Sequence, residues 1–201
     1  MEITVAAVTD ELFGELKKQF SGTAVHVVQG DILGLKVSAV VSPANSFGFM
    51  DGGVDQLYTE RFGLEVQERL QWKISRHRPM GELLVGEALL IPTLDGNIPY
   101  VISAPTMRVP MILPKDTINP YLATLAALNC ATEHKLKSVA FPGMGGGVGR
   151  VKPDIVAHQM ASAYEAWKGF VAYPKSWIEA SKRHQWLYLD KCRNLQEPLT
   201  R

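Results

Sequence analysis

The sequence lacks the features that would place the protein in a membrane or an oxidising compartment. It has only two cysteines, Cys130 and Cys192, which form neither a CxxC pair nor a zinc-ligand pattern. No apolar run approaches the roughly 18 residues that a membrane helix requires. The first residues show no basic segment followed by an apolar one, as a signal peptide would. We therefore expect a cytoplasmic protein that does not associate with a membrane.

An excess of one sign of charge is also absent. The chain has 21 Lys and Arg against 20 Asp and Glu, a net charge of +1, which gives no general attraction to nucleic acid or to an anionic membrane. The balanced charge still allows a local basic rim, which could be formed by Arg76, His77, Arg78, Arg108 and Lys115. The five histidines form neither an HExxH motif nor a close pair, so we expect no metal and no cofactor.

Apolar strand-like segments alternate with amphipathic helix-like ones along most of the chain. The predicted strands are residues 3–8, 25–28, 37–41, 88–91, 100–104 and 138–141. The predicted helices cover residues 10–20 and 53–74, the latter divided at Gly63. Two more begin at Asn119-Pro120, with Asn119 as the cap residue and Pro120 at the first helical position, and at Pro153. This alternation predicts an α/β sandwich in which residues 37–41 form a central parallel strand.

The length of 201 residues indicates one domain with an appendage. We predict a core over residues 1–168 and a C-terminal extension over residues 169–201 that packs on the same domain. Within the extension, four residues are predicted to form a last helix and a short strand and are interpreted as packing residues: Trp177, Trp186, Leu187 and Tyr188.

Two glycine-bearing loops each follow a predicted strand and precede a predicted helix. The first runs from Ser42 to Asp55, and the second covers residues 142–152, with five glycines within residues 143–149. Backbone N–H groups in such a loop, with a helix dipole behind them, suit an anion and above all a phosphate. The second loop alone fits a tight turn as well as an anion cradle, because it matches no complete phosphate-binding fingerprint.

Three polar side chains near these loops have two interpretations each. Asn45 either holds its loop through an Asx turn or contacts a ligand. Asp55 either interacts favourably with the dipole of the helix whose first turn it occupies, or acts on a ligand. Asp31, which follows Gly30, is either a turn or cap residue or a ligand-binding acid.

Four motifs, in this order, resemble the macro domain family. They are VVQGDI at residues 27–32, AVVSPAN at 39–45, GGVD at 52–55 and FPGMGGGV at 141–148, within about residues 23–168. The resemblance implies a three-layer α/β/α sandwich with a mixed, mostly parallel central sheet. It also implies ADP-ribose binding and, as in many members, hydrolysis of ADP-ribose attached to proteins, nucleic acid ends, or acetyl and phosphate groups.

The resemblance also assigns roles to matching residues. Asn45 would hold the distal ribose, and Asp55 would orient or deprotonate the attacking water. Asp31 would accept a hydrogen bond from the adenine amino group, with the backbone of Ile32 beside it. The loops at the distal ribose and the pyrophosphate would be formed by Gly52, Gly53, Val54, Gly145, Gly146, Gly147, Val148 and Gly149.

The chain departs from the family pattern at several positions. Ser42 replaces the first asparagine of the motif Asn-x-Ala-Asn, and Met50 and Asp51 stand where glycines are usual. An acid at position 51 would disfavour a diphosphate unless it points away. Arg150 stands where a glycine is common, and it either pairs with a phosphate or is a solvated surface charge.

The resemblance leads to one main hypothesis with two alternatives. The first is an ADP-ribosyl hydrolase that acts on an ADP-ribosylated macromolecule or on a derivative such as the 1″-phosphate, without a metal. The alternative is a non-catalytic reader of ADP-ribose or a related nucleotide, which Met50 and Asp51 favour. A polynucleotide-binding domain is the third, and the net charge argues against it, so nucleic acid is expected only as a modified substrate.

Phe47 or Phe49 either forms a wall for the ribose or packs in the core.

Overall fold

The computed structural model describes residues 1–77 and 81–197. The described residues form six strands: β1 (Glu2–Ala7), β2 (Val25–Gln29), β3 (Ala39–Ser42), β4 (Leu89–Pro92), β5 (Tyr100–Ser103) and β6 (Ser138–Phe141). They lie in one sheet in the order β2-β1-β6-β3-β5-β4. Neighbouring strands pair in parallel, except that β4 is antiparallel to β5. The prediction of a mixed, mostly parallel sheet is confirmed.

The described helices are α1 (Asp10–Gln19), α2 (Gly53–Phe62), α3 (Glu65–His77), α4 (Asn119–Glu133), α5 (Pro153–Trp167) and α6 (Trp177–Trp186). The break at Gly63 is confirmed, because this glycine ends α2 with a φ of +85° that side chains other than glycine disfavour. The prediction that Asn119 caps α4 is wrong. Ile118 is the cap residue, and the Asn119 amide instead donates to the carbonyl of Thr106.

Two apolar clusters pack against the two faces of the sheet. One holds buried residues of α1, α4 and α5, and the other holds buried residues of α2 and α3. Strand β3 supplies both, since Ala39 and Val41 belong to the first cluster and Val40 to the second. Alternation of side chains across a strand buried on both sides produces this arrangement. The three-layer α/β/α sandwich is therefore confirmed.

The extension contradicts two of the sequence-based expectations. Trp177 and Trp186 are 58% and 53% exposed, so their interpretation as packing aromatics is wrong. The predicted short strand is also wrong, because residues 187–189 form a turn in which the N–H groups of Tyr188 and Leu189 donate to the carbonyl of Gln185. None of the described helices is both long and apolar enough to cross a membrane.

Candidate functional site

A cleft of about 660 Å³ lies over the carboxyl ends of β1, β3 and β6, the edge at which open α/β sheets bind ligands. The loops that leave these strands form its walls. All twelve residues selected from the sequence line this cleft: Asp31, Ile32, Asn45, Gly52, Gly53, Val54, Asp55, Gly145, Gly146, Gly147, Val148 and Gly149. The fold thus brings together residues that are up to 118 positions apart in the chain.

Asn45 holds the first loop in shape. Its Oδ1 accepts hydrogen bonds from the N–H groups of Phe47 (3.1 Å) and Phe49 (3.3 Å), and its Nδ2 donates to the carbonyl of Phe49 (2.8 Å). The Asx-turn interpretation therefore describes the structure. Because the amide oxygen has two lone pairs and the amide nitrogen two hydrogens, one N–H remains for a ligand. The side chain of Phe49 lines the cleft, whereas Phe47 does not.

The first loop ends at the N-terminus of α2. Gly52 is its cap residue, and Gly53 has a φ of +59°. The first N–H groups of a helix have no acceptor within the helix and lie at the positive end of its dipole, so this end of α2 can receive an anion. Of the two departures from the family pattern, Asp51 is exposed and lines the cleft, whereas Met50 is buried in the core.

The second loop folds tightly on itself. The N–H of Val151 donates to the carbonyl of Gly145, and the N–H of Arg150 donates to that of Gly147. A Cβ on Gly149 would lie 2.5 Å from the carbonyl oxygen of Gly145, so only glycine fits there. Within the described part of the chain, no hydrogen bond uses the N–H groups of residues 146–148. These N–H groups remain for a ligand.

Arg150 lies outside the group of residues that line the cleft, and its side chain is exposed. The structure therefore favours the solvated-charge interpretation of this residue. The described residues that line the cleft include four acids, Glu11, Asp31, Asp51 and Asp55, and neither lysine nor arginine. An anion in this cleft would consequently depend on backbone N–H groups and helix dipoles for its stabilisation.

Asp55 is the buried acid of the cleft, with 6% of its surface exposed. Burial raises its pKa from the ordinary value of 3.8 to about 7, and the hydroxyl of Ser42 partly opposes this shift. Its Oδ1 accepts no hydrogen bond from the described residues, and the buried hydroxyls of Ser42 and Ser103 likewise have no partner there. A carboxyl whose pKa is about 7 holds or releases a proton near neutral pH.

Tyr58 lies behind Asp55 on α2 and is fully buried. Its hydroxyl donates to the carbonyl of Val41 at 3.0 Å. Burial, followed by the charges of Asp55 and Asp31, raises the pKa of Tyr58 well above its ordinary range. Tyr58 is therefore neutral and anchors α2 to β3, which fixes the position of Asp55.

Asp31 has a local hydrogen bond but remains exposed. Its Oδ1 accepts from the N–H of Leu33 at 2.9 Å and caps a short 3-10 helix over Ile32–Gly34. The cap interpretation is therefore realised. The other carboxylate oxygen remains for a ligand, since a carboxylate has about four acceptor positions. Ile32 lies beside it and belongs to the core.

The long loop between β5 and α4 contributes residues to the cleft that the sequence analysis did not select. Thr106, Met107 and Pro110 line it, and Met107 forms a β-bridge with Asn45. The next residue, Arg108, pairs with the buried acid Glu82 at 2.8 Å. These contacts join segments far apart in sequence, so no local pattern could have indicated them.

The proposed basic rim includes Arg108 and Arg78. Arg108 is paired with Glu82 and lies over the ring of Phe47 at 5.2 Å, and Arg78 lies outside the described residues. Among the described residues, no three His, Cys, Asp or Glu side chains are arranged to hold a metal. Cys130 is buried and Cys192 is partly exposed, and both are free thiols.

Comparisons with known proteins agree with this architecture. The pattern of the Macro domain family matches residues 41–160. The chain is 36% identical over 146 residues to an uncharacterized protein of Aeropyrum pernix, which covers 71% of each chain. It is 34% identical over 126 residues to the O-acetyl-ADP-ribose deacetylase of Escherichia fergusonii, which covers 62% of this chain and 68% of the relative.

Solved structures of the same family share the fold. The Oceanobacillus iheyensis macrodomain with ADP superimposes with a TM-score of 0.60 at 19% identity, over 79% of this chain and 84% of that one. The macrodomain of Mycobacterium tuberculosis DarG gives a TM-score of 0.59 at 22% identity, over 68% and 87%.

Proposed function

Because the chain belongs to the macro domain family, we propose that its cleft binds ADP-ribose and that the protein hydrolyses an ADP-ribosyl linkage. One observation carries the proposal. A buried carboxyl, Asp55, lies in the cleft with an unpartnered oxygen and a pKa of about 7, next to two glycine loops with unused N–H groups. This combination provides an anion site and a proton acceptor within one cavity.

In the proposed complex the diphosphate lies between the N-terminus of α2 and the second loop. The N–H groups of residues 52–54 and 145–149 stabilise its charge, because the described residues that line the cleft include no lysine or arginine. Asp31 accepts a hydrogen bond from the adenine amino group. The free N–H of Asn45 donates to the distal ribose, which places the anomeric carbon towards Asp55.

The proposed reaction uses Asp55 as the proton acceptor for water. At a glycosidic linkage, the ionised carboxylate removes a proton from a water molecule as the water oxygen bonds to the anomeric carbon, and the leaving group departs with the electrons of the bond that breaks. At the ester of O-acetyl-ADP-ribose, the same carboxylate would deprotonate a water molecule that adds to the acetyl carbonyl carbon, and the ribose oxygen departs. The transition state of the glycosidic cleavage has oxocarbenium character, so a carboxylate nearby also stabilises it electrostatically. A pKa of about 7 suits such a base, since it combines proton affinity with a substantial ionised fraction at neutral pH.

Two variants test the proposal. Their binding of ADP-ribose is measured by calorimetric titration. Their turnover is measured on four substrates: ADP-ribosylated peptide, ADP-ribosylated oligonucleotide, ADP-ribose 1″-phosphate and O-acetyl-ADP-ribose. Asp55→Asn keeps the shape of the side chain but cannot accept the proton, so we expect binding within a few-fold of the wild type and turnover reduced by about 10²-fold or more. Asp51→Asn is the matched control, because Asp51 is a second acid of the cleft but is exposed. It should retain turnover. Unchanged turnover in Asp55→Asn would exclude Asp55 as the base.

A reader without catalysis is the second candidate, and the contacts of Asn45 favour it. Three hydrogen bonds commit this side chain to the loop, so it has less capacity to orient a ribose for reaction. This candidate predicts tight binding of ADP-ribose by the wild type without release of ADP-ribose from any of the four substrates. Turnover that Asp55→Asn abolishes would exclude it.

A further inference from the structure

The extension, described over residues 169–197, exposes several large apolar side chains. Tyr173 is 90% exposed and Phe170 is 71% exposed, and Trp177, Ile178 and Trp186 are each more than half exposed. Few contacts attach the extension to the core. Nε2 of His158 lies 2.8 Å from the carbonyl oxygen of Trp186, and the amide of Gln159 donates to the carbonyl of Leu187 at 3.1 Å. The apolar side chains are thus not used to fold the domain.

The near-zero net charge of the chain conceals an uneven distribution. Residues 169–201 have six Lys and Arg against three Asp and Glu, whereas residues 1–168 have 15 against 17. The extension is therefore basic on an acidic core. Charge asymmetry of this kind is typical of segments that bind polyanions.

Cations and apolar side chains alternate along the extension. Lys168 lies 6.0 Å from the ring centre of Phe170, Lys175 separates Tyr173 from Trp177, and Lys182 lies between Ile178 and Trp186. On α6, Ile178, Lys182 and Trp186 are spaced by four positions and therefore share one face of the helix. We call this set the extension surface: Lys168, Phe170, Tyr173, Lys175, Trp177, Ile178, Lys182 and Trp186.

We propose that the extension surface binds single-stranded nucleic acid. Unpaired bases stack on exposed aromatic rings without regard to sequence, and lysines between the rings neutralise the phosphates that link the bases. The alternation of rings and cations matches the alternation of bases and phosphates in a strand. This inference does not depend on the proposed hydrolytic activity, because the surface shares no residue with the cleft.

Other occupants fit the surface less well. A helix that lies in a membrane interface separates its basic face from its apolar face, whereas Lys182 lies within the apolar stripe of α6. A second copy of the chain would bring one basic extension against another, at an electrostatic cost. The extension is also fixed to α5 within one turn of Val156, which lines the cleft.

The experiment measures binding of the full chain to a fluorescent oligo(dT) and an oligo(U) of about 15 nucleotides, by anisotropy at salt concentrations from roughly 50 to 200 mM. We expect binding that weakens steeply with salt and persists in saturating ADP-ribose. Trp177→Ala with Trp186→Ala should weaken it about tenfold or more at each salt concentration. Trp72→Ala is the matched control, because Trp72 is an exposed tryptophan on α3, outside the extension surface.

A second pair of variants tests the charge. The slope of the logarithm of affinity against the logarithm of salt concentration should become shallower by about 1.4 in the double variant Lys175→Gln with Lys182→Gln. Each phosphate contact on a single strand contributes about 0.7 to this slope. Lys36→Gln with Lys137→Gln, two exposed lysines of the core, should leave it unchanged. Circular dichroism of each variant establishes that it is folded.

Four results would overturn the proposal. They are the absence of oligonucleotide binding by the wild type, an equal loss in the Trp72 control, full competition by ADP-ribose, and a folded tryptophan double variant that binds as the wild type does. If oligonucleotides do not bind, two further measurements identify the occupant. Binding to phosphatidylserine vesicles that is lost in the tryptophan variant would assign the surface to a membrane. Self-association in sedimentation that is lost in the same variant would assign it to a second copy of the chain.

Discussion

Ser42 and Ser103 lie opposite each other at the carboxyl ends of β3 and β5, and both hydroxyls are buried without a hydrogen-bond partner among the described residues. The carboxyl of Asp55 has the third unpartnered buried oxygen of this kind. Burial is the larger influence on the pKa of Asp55, which it raises, and of the two serines only Ser42 opposes it by lowering that pKa. Two residues of the same type, at the same level of the sheet, thus differ in their effect on one acid.

Replacement of Ser42 should therefore shift the pH dependence of turnover. Ser42→Ala removes the group that lowers the pKa of Asp55, so the rising limb of log kcat/KM against pH, expected at about pH 7 in the wild type, should move to higher pH. Ser103→Ala is the control, and its profile should coincide with that of the wild type. An unshifted profile in Ser42→Ala, or an equal shift in both variants, would contradict this account.

Asp55 should make the folded protein less stable as pH rises. Between the ordinary pKa of 3.8 and the folded-state pKa of about 7, the folded chain holds a proton that the unfolded chain has released. The free energy of unfolding contributed by this group therefore falls with rising pH across this interval and is constant above it. Asp55→Asn, which cannot ionise, should be more stable than the wild type at pH above 7 by a few kcal/mol, on the order expected for such a pKa difference, and similar near pH 4.

Urea unfolding of Asp55→Asn and the wild type across this pH range measures the difference. Asp51→Asn serves as the control, because Asp51 is exposed, and its stability should follow that of the wild type. A stability difference for Asp55→Asn that does not grow with pH would show that burial does not raise the pKa of Asp55.

Two glycines of the second loop should respond differently to the same substitution. A Cβ at Gly149 meets the Gly145 carbonyl at 2.5 Å and Leu113 at 3.0 Å, whereas a Cβ at Gly147 meets no atom within 4 Å. Gly149→Ala should destabilise the protein by about 1–3 kcal/mol, as overpacking does. Gly147→Ala should leave stability nearly unchanged and reduce ADP-ribose affinity if the ligand approaches this loop. Thermal unfolding measures the effect of each variant on stability, and calorimetric titration measures its effect on ADP-ribose binding. Equal destabilisation by the two variants would contradict the close approach of Gly149 to the carbonyl of Gly145.

Gln159 should be essential for the attachment of the extension. Its buried amide accepts from the N–H of Tyr121 and donates to the carbonyls of Thr117 and Leu187. Gln159→Met keeps the length of the side chain but leaves these buried groups without partners, which should cost about 2–4 kcal/mol and expose residues 169–197 to proteases. Gln56→Met, at an exposed glutamine on α2, should change stability by no more than about 0.5 kcal/mol. Limited proteolysis that cuts both variants equally would contradict this role.

The fold was predictable because the signals that define it are local. The apolar run at residues 37–41, the glycine at position 63 and Pro153 each indicate an element or a boundary from a few neighbouring residues. The glycine loops indicated the cleft for the same reason, since each lies between a strand and a helix.

The parts that the sequence did not predict depend on contacts between distant segments or on burial. The pairing of Arg108 with Glu82 joins residues 26 positions apart, and the pKa of Asp55 results from the protein packed around it. Trp177 and Trp186 were interpreted as packing aromatics, yet both are more than half exposed. Their exposure follows from the few contacts that the extension makes with the core, which composition does not reveal.

The position of β6 between β1 and β3 has a consequence for synthesis of the chain on the ribosome. Until residues 138–141 emerge, the sheet consists of two separate halves, β2-β1 and β3-β5-β4, each with an open parallel edge. Such edges are templates for aggregation, and contacts this distant in sequence form slowly. A nascent chain that stalls before residue 138 would therefore be prone to intermolecular pairing, and a cleft ligand could not rescue it, since the second glycine loop that lines the cleft would not yet exist.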